Sequence, residues 1–223
     1  MPAPGAGSQR RSGVHHPWFA RFYDRMSVLA DTRGSVGAHR DELVAGLSGR
    51  VVEIGAGNGR NFARYPRTVS EVVAVEPEVH MRRLAAAAAR DAPVPADLVD
   101  GTAEQLPLES GAFDAAVCSL VLCSLERERR ALAELLRVLR PGGRLRFYEH
   151  GRAQGRSGME RAQRMLDASV WPLMFGGCHT ARDPLARIRE AGFTELTFRR
   201  LLVPVGGLAL PHSFHVLGSA RKP

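Results

Sequence analysis

The sequence predicts a single doubly wound α/β domain built on a seven-stranded, mostly parallel sheet. Strand patterns alternate with helical patterns through the middle of the chain. Several strand segments are almost continuously apolar, which is typical of a parallel sheet covered by helices on both faces. The 223 residues, of which 44% are hydrophobic and 24% charged, suffice for one domain with one core.

A helical extension is predicted before the sheet. Residues 1–13 are small, polar and proline-bearing, and are expected to form a disordered tail. Residues 14–47 follow a helical pattern that places Phe19 and Phe22 on one face. We expect residues 14–223 to form the single domain.

Five strands and three helices alternate after this extension. The predicted strands are Arg50–Gly55, Glu71–Glu76, Ala96–Asp100, Phe113–Leu120 and Gly143–His150. The predicted helices are a short one at Asn61–Arg64 and two longer ones at Val79–Asp91 and Glu126–Leu139. The proline and glycines of "RPGGRL" (140–145) predict a turn into the fifth strand.

A second helical segment is inserted after the fifth strand. It runs from Ser157 to about Phe175 and is followed by a helix at Asp183–Ala191. Strands near Glu195–Leu202 and Phe214–Ala220 complete the sheet. The insertion is rich in apolar residues, which indicates either a flap over an apolar ligand or packing onto the sheet.

Charge and cysteine content restrict the partners and the compartment. The net charge is +8, but Lys222 is the single lysine and the arginines are scattered. This favours coding bias, or attraction of an anionic substrate or lipid surface, over a nucleic-acid-binding block. The three cysteines are spaced too irregularly for a disulfide framework or a zinc site, so we expect no metal and a reducing cytoplasm. No stretch approaches ~20 apolar residues and no signal-peptide core is present, so no transmembrane segment is expected.

The segment "VVEIGAGNGRNF" (51–62) predicts a ligand at the carboxyl edge of the sheet, where a strand passes through glycines into a helix. A phosphate-binding loop would require a Gly-Lys-Ser/Thr sequence, which is absent. A dinucleotide motif fits poorly, because Gly59 comes one residue too early. Glu76 ends the second strand about twenty residues after Gly55, where a carboxylate binds ribose hydroxyls. The pattern therefore predicts a ligand with a ribose and without a pyrophosphate.

Five motifs in order resemble those of the class I S-adenosylmethionine-dependent methyltransferases, which have a Rossmann-like fold. They are E-x-G-x-G-x-G (53–59), "VAVEPEVHM" (73–81), "DGTAEQLPL" (100–108), "FDAAVCSLVLCSL" (113–125) and "LLRVLRPGGRLRFYEH" (135–150). The resemblance implies S-adenosylmethionine as cofactor and S-adenosylhomocysteine as product. In the adenine-binding turn the family's usual aspartate is replaced by Thr102.

The resemblance also implies the cofactor contacts. Glu53 and the 55–59 loop would hold the methionine end, Glu76 the ribose, and Met81 with the 102–103 turn the adenine. Residues 14–47 would form a lid, since "HHPWFARFYDRMS" (15–27) is similar to the cofactor-covering segment of bacterial ubiquinone and phospholipid methyltransferases. The full expected set is Tyr23, Glu53, Gly55, Ala56, Gly57, Asn58, Gly59, Asn61, Glu76, Pro77, Met81, Gly101, Thr102, Ala103, Glu104, Cys118 and Leu120.

Shorter matches resemble the vertebrate thiol S-methyltransferases, namely "VCSLVLCSL", "RVLRPGG", "FYEH", "LD" at 166–167, "GC" at 177–178 and "PH" at 211–212. Those enzymes carry an N-terminal membrane anchor, where this chain has a hydrophilic tail, so only peripheral membrane contact is expected. The resemblance implies a small, rather apolar acceptor covered by residues 157–180. A thiol sulfur ranks first, an oxygen or carbon centre of a natural product or quinone-like ring second, and a phospholipid amine third.

Acceptor chemistry gives the candidate catalytic residues. Methyl transfer from a sulfonium is an in-line displacement that gains mainly from orientation, so neither a metal nor a covalent nucleophile is expected. A thiol needs modest activation, whereas a hydroxyl or carbon acceptor needs a general base. His150, at the end of the fifth strand, is the first candidate base, and Asp167 in the insertion the second. His179 and His212 are further candidates, and each of the four has a structural role as its alternative.

The cysteines are expected to have passive roles. Cys118 and Cys123 fit small apolar positions in the core, and Cys178 fits a pocket wall. Two other classes of function stay open, a cofactor-binding regulatory domain and a nucleic-acid methyltransferase. The Asn/Asp-Pro-Pro-Tyr/Phe signature of the latter is absent after the fourth strand. The oligomeric state is not predicted.

Overall fold

The computed structural model describes Asp31, residues 36–204 and residues 208–223. The predicted tail, most of the predicted lid and Tyr23 lie outside these residues and stay predictions. Helix α1, Val36–Val44, is the longest described part of the N-terminal extension.

The seven-stranded, mostly parallel sheet is confirmed. Its strands are β1 (Gly49–Ile54), β2 (Val69–Val75), β3 (Ala96–Val99), β4 (Phe113–Ser119), β5 (Leu139–His150), β6 (Thr194–Leu202) and β7 (Phe214–Arg221). They lie in the order β3-β2-β1-β4-β5-β7-β6. The first five strands pair in parallel, whereas β7 is antiparallel to both of its neighbours.

Helices cover both faces of this sheet. The remaining helices are α2 (Val79–Ala89), α3 (Glu128–Val138), α4 (Ser157–Asp167), α5 (Trp171–Met174) and α6 (Pro184–Glu190). Leu132 of α3 and Ile188 of α6 belong to the apolar core on one face, and Leu43 of α1 and Ala85 of α2 to that on the other. This burial on both faces explains the near-continuous apolar strands.

The insertion and the fifth strand differ from the prediction. The expected helix from Ser157 to Phe175 is interrupted, because the Ser169 hydroxyl accepts a hydrogen bond from the Trp171 amide and Pro172 occupies the first turn of α5. Strand β5 begins at Leu139, which pairs with Phe113. The predicted turn at 140–145 therefore lies within β5, where the register with β4 shifts between Phe113 and Ala115.

The strand order places the site. From β1 the chain continues to β2 and β3 on one side, and it then returns to β4 and β5 on the other. In open α/β sheets a ligand crevice forms where the order reverses, outside the carboxyl ends of the strands. The residues after β1, β2, β4 and β5 therefore share one edge.

Candidate active site

The glycine loop after β1 is held by packing within the protein. Gly55, Gly57 and Gly59 have φ of 62°, 58° and 77°, a left-handed region that glycine adopts without strain. A Cβ on Gly55 would lie 2.3 Å from Val121 Cγ2, and one on Gly59 would lie 2.9 Å from the Phe62 ring. These two glycines thus bring the loop against the segment after β4 and against the next turn. The expected contact of this bare backbone with a ligand stays a prediction.

Glu76 lies at the carboxyl end of β2, at the same edge as the glycine loop. Its Oε2 accepts a hydrogen bond from the Gly57 amide at 2.8 Å, and its Oε1 accepts one from the Glu78 amide at 3.0 Å. Burial raises the pKa of Glu76, and these two amides partly offset the rise. The contact of this carboxylate with a ribose stays a prediction.

Glu53 is buried at the end of β1, with a protein donor at each carboxylate oxygen. Asn61 Nδ2 donates to Oε1 at 2.7 Å, and the Tyr65 hydroxyl donates to Oε2 at 2.8 Å. Burial raises the pKa of Glu53 to about 7, against the effect of both hydrogen bonds. Glu53 and Asn61 therefore support the loop, and their direct contact with a methionine moiety stays a prediction.

Arg40 of α1 links the extension to this edge, and sequence reasoning missed it. Its Nη1 donates to Asn61 Oδ1 at 3.0 Å and to the Ser119 hydroxyl at 2.9 Å, and its Nε donates to Asp31 at 3.1 Å. The guanidinium thereby joins the loop after β1 to the end of β4 from outside the sheet. One arginine among many scattered arginines gives no signal in the sequence.

The predicted adenine side also lies at this edge. Thr102 forms a bridge with Gln105, and Met81 and Ala103 are buried. The other expected contacts on the described loops are Ala56, Asn58, Pro77, Gly101, Glu104 and Leu120. The contacts of these residues with a cofactor stay predictions.

Cys118 has a different environment from the one expected of a cofactor contact. Its side chain is fully buried in the apolar core of the sheet, beside residues such as Ile54 and Leu122. Burial raises the pKa of the Cys118 thiol, and Glu149 and Glu53 raise it further. The core position is thus confirmed, and the expected contact of Cys118 with the cofactor stays a prediction.

At the other end of the edge, two cysteines and a histidine meet. Cys123 lies on the 3₁₀ turn Leu122–Ser124 after β4, His150 ends β5, and Cys178 follows α5. The Nδ1 atom of His150 is 3.4 Å from Cys123 Sγ and 3.5 Å from Cys178 Sγ, and the two sulfur atoms are 3.8 Å apart. We call these three residues the Cys–His–Cys cluster. Cys123 is buried as expected, but its sulfur also contacts polar partners.

The backbone around Cys123 is fixed by a buried carboxylate. Glu149 accepts hydrogen bonds from the amides of Val121 and Leu122, both at 3.0 Å, and from the amide of Cys123 at 3.3 Å. Burial raises the pKa of Glu149 to about 7, although these bonds lower it. Glu149 was not among the expected site residues.

The loop that carries Cys178 is fixed against the same turn. The His179 amide donates to the Cys123 carbonyl at 2.9 Å. Gly177 has φ of 85°, and a Cβ on it would lie 2.8 Å from the Ser124 carbonyl oxygen. The close approach of the two sulfur-bearing segments therefore depends on a glycine directly before Cys178.

Asp167 supports this loop from the end of α4. Its Oδ1 accepts hydrogen bonds from the Thr180 amide at 2.6 Å and the Thr180 hydroxyl at 3.0 Å, and its Oδ2 accepts one from the Ala181 amide at 2.9 Å. These contacts fit its structural alternative, a residue that positions Cys178 through the loop.

The histidines of this region have different surroundings, which shift the pKa of three of them in different directions. Burial lowers the pKa of His150, but the charge and hydrogen bond of Cys178, with Glu149, outweigh it and raise the pKa. His215, whose ring centroid is 4.4 Å from that of His150, has a pKa well below the ordinary value because of burial and then the charge of His150. His212 stacks on Trp171 at 5.4 Å, and burial lowers its pKa. His179 bonds to the Gly177 carbonyl at 2.6 Å, as its structural alternative implies.

Comparisons with known proteins identify the family of the chain. The model of a methyltransferase-domain family matches residues 52–147. The human thiol S-methyltransferase TMT1A is 30% identical over 214 residues, which cover 91% of this chain and 86% of that protein. The chain belongs to the S-adenosylmethionine-dependent methyltransferases. It is an enzyme of that class.

Other relatives of this methyltransferase differ in their named acceptors. The mouse thiol S-methyltransferase TMT1B is 34% identical over 182 residues, 79% of this chain and 73% of that protein. The ubiquinone/menaquinone C-methyltransferase UbiE of Syntrophotalea carbinolica is 33% identical over 144 residues, 60% of each chain. A crystal structure of a possible histamine N-methyltransferase from Thermotoga maritima superposes with a TM-score of 0.67 at 24% identity, over 92% of this chain and 98% of that one. The last likeness confirms the fold.

The insertion of the methyltransferase presents apolar side chains to solvent. Four of these side chains are more than half exposed, namely Met165, Val170, Leu173 and Met174. Leu208, shortly before β7, is 81% exposed. A cavity of about 740 Å³ beside the 179–183 loop is lined mainly by charged side chains, which do not suit an apolar acceptor. None of the described helices has the length and apolar character needed to cross a membrane.

Proposed function

We propose that this methyltransferase transfers the methyl group of S-adenosylmethionine to the sulfur of a small, apolar thiol. The observation that carries the proposal is an environment that favours anionic sulfur at the acceptor end. The hydrogen bond that Cys178 shares with Cys123, and then the charge and hydrogen bond of His150, lower the pKa of Cys178 well below its ordinary value in spite of burial. A positive charge on His150 would likewise favour the thiolate form of an acceptor thiol beside it.

The relatives support a thiol over the alternatives. TMT1A, a thiol S-methyltransferase, is 30% identical over 91% of this chain, whereas the demethylmenaquinone methyltransferase of Paenarthrobacter aurescens is 28% identical over 77% and the quinone C-methyltransferase UbiE is 33% identical over 60%. A carbon or hydroxyl acceptor requires a strong general base. His150 is already engaged by two sulfur atoms, which suits activation of a thiol better.

At the cofactor end, the methyl donor would bind to residues whose side chains are held by hydrogen bonds within the protein. S-adenosylmethionine supplies an electrophilic methyl group when bound. Glu76 would bind the ribose hydroxyls in place of its bond to the Gly57 amide, and Glu53 with Asn61 would hold the loop. Met81 and the 102–103 turn would enclose the adenine. The buried carboxylate of Glu76 at the carboxyl edge fits a ribose diol.

The acceptor end would bind an apolar molecule. Trp171 stacks on Phe175 with ring centroids 3.8 Å apart, beside the exposed apolar side chains of α4 and α5. An apolar acceptor covered by the insertion would remove this surface from water. The three cysteines are free thiols, which supports a reducing cytoplasm as the compartment.

The test is a methyl-transfer assay with matched acceptors. Transfer of a labelled methyl group is measured for short alkyl thiols, for alcohols of the same carbon skeleton, for a hydroquinone and for phosphatidylethanolamine vesicles. We expect methylation of the thiols and none of the alcohols. Methylation of the hydroquinone or the lipid without the thiols would refute the proposed acceptor. Titration calorimetry with S-adenosylhomocysteine establishes independently that the cofactor site is intact.

A further inference from the structure

The geometry of the Cys–His–Cys cluster matches that of a zinc site. Zinc–sulfur bonds of about 2.3 Å and zinc–nitrogen bonds of about 2.0–2.1 Å in a tetrahedron place two sulfur ligands about 3.8 Å apart, and sulfur and nitrogen about 3.6 Å apart. The sulfur atoms of Cys123 and Cys178 are 3.8 Å apart, and His150 Nδ1 is 3.4 and 3.5 Å from them. One ion would therefore reach all three atoms without rearrangement of the chain.

The chemistry of these ligands also selects zinc. Thiolate with imidazole is a donor set that zinc prefers, and hard cations such as magnesium avoid it. The cluster is the one group of three or more potential metal ligands found within the described residues. Cys123 and Cys178 are buried. A buried thiolate requires a positively charged partner, and a metal ion bound to both sulfurs would provide one.

The surroundings hold the ligand atoms in place, as they do around established metal sites. Glu149 fixes the turn of Cys123 through three amides, and Asp167 fixes the loop of Cys178. The His150 ring packs against the ring of His215 at 4.4 Å. Three segments distant in sequence are thus aimed at one point.

We infer that Cys123, His150 and Cys178 bind a zinc ion whose fourth position takes the acceptor thiol as a thiolate. The inference rests on the proposed thiol substrate, and it replaces the sequence-based expectation that the chain holds no metal. Three protein ligands and an exchangeable fourth are typical of catalytic zinc, whereas structural sites have four protein ligands. A metal-bound thiol is deprotonated at neutral pH, so no general base is needed.

The position of the cluster suits this role. Cys123 follows Val121 on the same short turn, and Val121 covers Gly55 of the cofactor loop. In the reaction, the thiol gives its proton to solvent as it binds the metal. A sulfur lone pair then forms the bond to the methyl carbon, and the carbon–sulfonium bond breaks with its electron pair returning to the cofactor sulfur. The products are a thioether, S-adenosylhomocysteine and one proton, and water replaces the weakly bound thioether.

The first experiment measures metal content and affinity. The full chain is purified without chelators and analysed for metals, and then stripped and titrated with zinc against a chromophoric chelator. We expect about one zinc per chain, and a loss of affinity of at least a hundredfold in Cys123→Ala, Cys178→Ala and His150→Ala. Cys118→Ala, in the core of β4, is the matched control and should keep the zinc. Titration with S-adenosylhomocysteine shows whether each variant is folded.

The second experiment uses the wild-type chain alone, so it holds even where a variant fails to fold. Cobalt replaces zinc, and the visible spectrum should show tetrahedral bands with sulfur-to-cobalt charge transfer. A short alkyl thiol should increase the charge-transfer intensity, whereas the alcohol of the same skeleton should not. His212→Ala should give the same response as wild type, which would show that His212 is not the fourth ligand. If His212 were that ligand, the wild type would have no position for a thiol.

The outcomes separate this inference from the proposed function. Absence of zinc binding, or a disulfide between Cys123 and Cys178, overturns the inference even if thiols are methylated. Bound zinc with a cobalt spectrum that thiols leave unchanged overturns it as well. Thiol coordination without methyl transfer supports the metal site and refutes the proposed function instead.

Discussion

The two ends of the ligand edge differ in which groups meet there, although buried carboxylates accept hydrogen bonds from the protein at both ends. At the cofactor end, the carboxylates of Glu53 and Glu76 accept hydrogen bonds from the protein at each oxygen, and Arg40 binds three groups. At the acceptor end, two sulfurs and an imidazole face one another, and apolar side chains stand exposed. The proposed cofactor end is therefore preorganised by its own hydrogen bonds, whereas the proposed acceptor end brings two thiols and an imidazole into mutual contact.

Glu53→Gln has the largest expected effect. It tests whether the hydrogen bonds of the buried Glu53 carboxylate compensate for the cost of its burial. Folding raises the pKa of Glu53 from 4.5 to about 7, so the folded state binds the proton more tightly. The stability of the wild type therefore falls as pH rises through this window, by up to about 3 kcal/mol. Glutamine can still accept from Asn61 and donate to the Tyr65 hydroxyl, but it does not titrate. The free energy of unfolding of the variant relative to wild type should thus increase between about pH 5 and about pH 8.

The measurement is urea denaturation at both pH values. Glu71→Gln, on the neighbouring strand and paired with the partly exposed Arg50, is the control, and its difference from wild type should stay nearly constant. A constant difference for Glu53→Gln would show that the carboxylate is not destabilised by burial.

Glu76→Ala tests whether the preorganised carboxylate binds the cofactor. We expect the affinity for S-adenosylmethionine to fall by at least tenfold, because charge-assisted bonds to the ribose contribute about 1.5–3 kcal/mol. Titration calorimetry measures the change, with Glu71→Ala as the control from the same segment of chain. An unchanged dissociation constant would place the ribose elsewhere.

Gly177→Ala tests whether the acceptor end depends on close approach of its two segments. Gly177 and Gly155 both have left-handed φ, 85° and 79°, but only a Cβ on Gly177 meets another atom, the Ser124 oxygen. Alanine is strained by the left-handed φ at both positions, but it displaces Cys178 only when it replaces Gly177. Thiol turnover should fall by about tenfold in Gly177→Ala and little in Gly155→Ala, with cofactor affinity kept in both. Equal losses would mean that backbone strain alone limits turnover.

Substitutions of Asp167 have the smallest expected effects, and they distinguish a structural role of this residue from that of a general base. Asparagine keeps the oxygen that accepts from Thr180, whereas alanine removes all three bonds to the loop. We expect Asp167→Asn to retain turnover within a few-fold and Asp167→Ala to lose more, with the pH profile of turnover unchanged in both. An inactive Asp167→Asn with an altered pH profile would make Asp167 a general base.

The fold was predictable from local patterns, and its deviations arise from tertiary contacts. The strands were recognisable because both faces of the sheet are buried, which leaves near-continuous apolar runs. The break between α4 and α5 depends on Ser169 and Pro172, whose capping effects are local but weak against a strong apolar pattern. The early start of β5 depends on pairing with Phe113, which no local pattern encodes.

The cofactor end was predictable in outline, and the acceptor end was not. The glycines and Glu76 have a fixed spacing within one βαβ unit, so sequence alone brings them together. Cys123, His150 and Cys178 belong to three segments that only the complete fold brings into contact. Irregular cysteine spacing was therefore a poor argument against a joint role. Glu149 gave a signal that was overlooked, since a glutamate inside an apolar strand must be buried with partners.

The side chain of Gln163 limits how this enzyme can open. Its Oε1 accepts from the Ala153 amide at 2.8 Å, and its Nε2 lies within 3.2 Å of the carbonyl oxygens of Gly151, Thr180 and Pro211. One amide thus connects α4 to three other segments, and outward movement of the whole helix would remove this partner from four backbone groups, of which those of Gly151, Ala153 and Thr180 are buried. Entry and departure of small molecules would then require only the short stretch between Asp167 and Gly177 to shift.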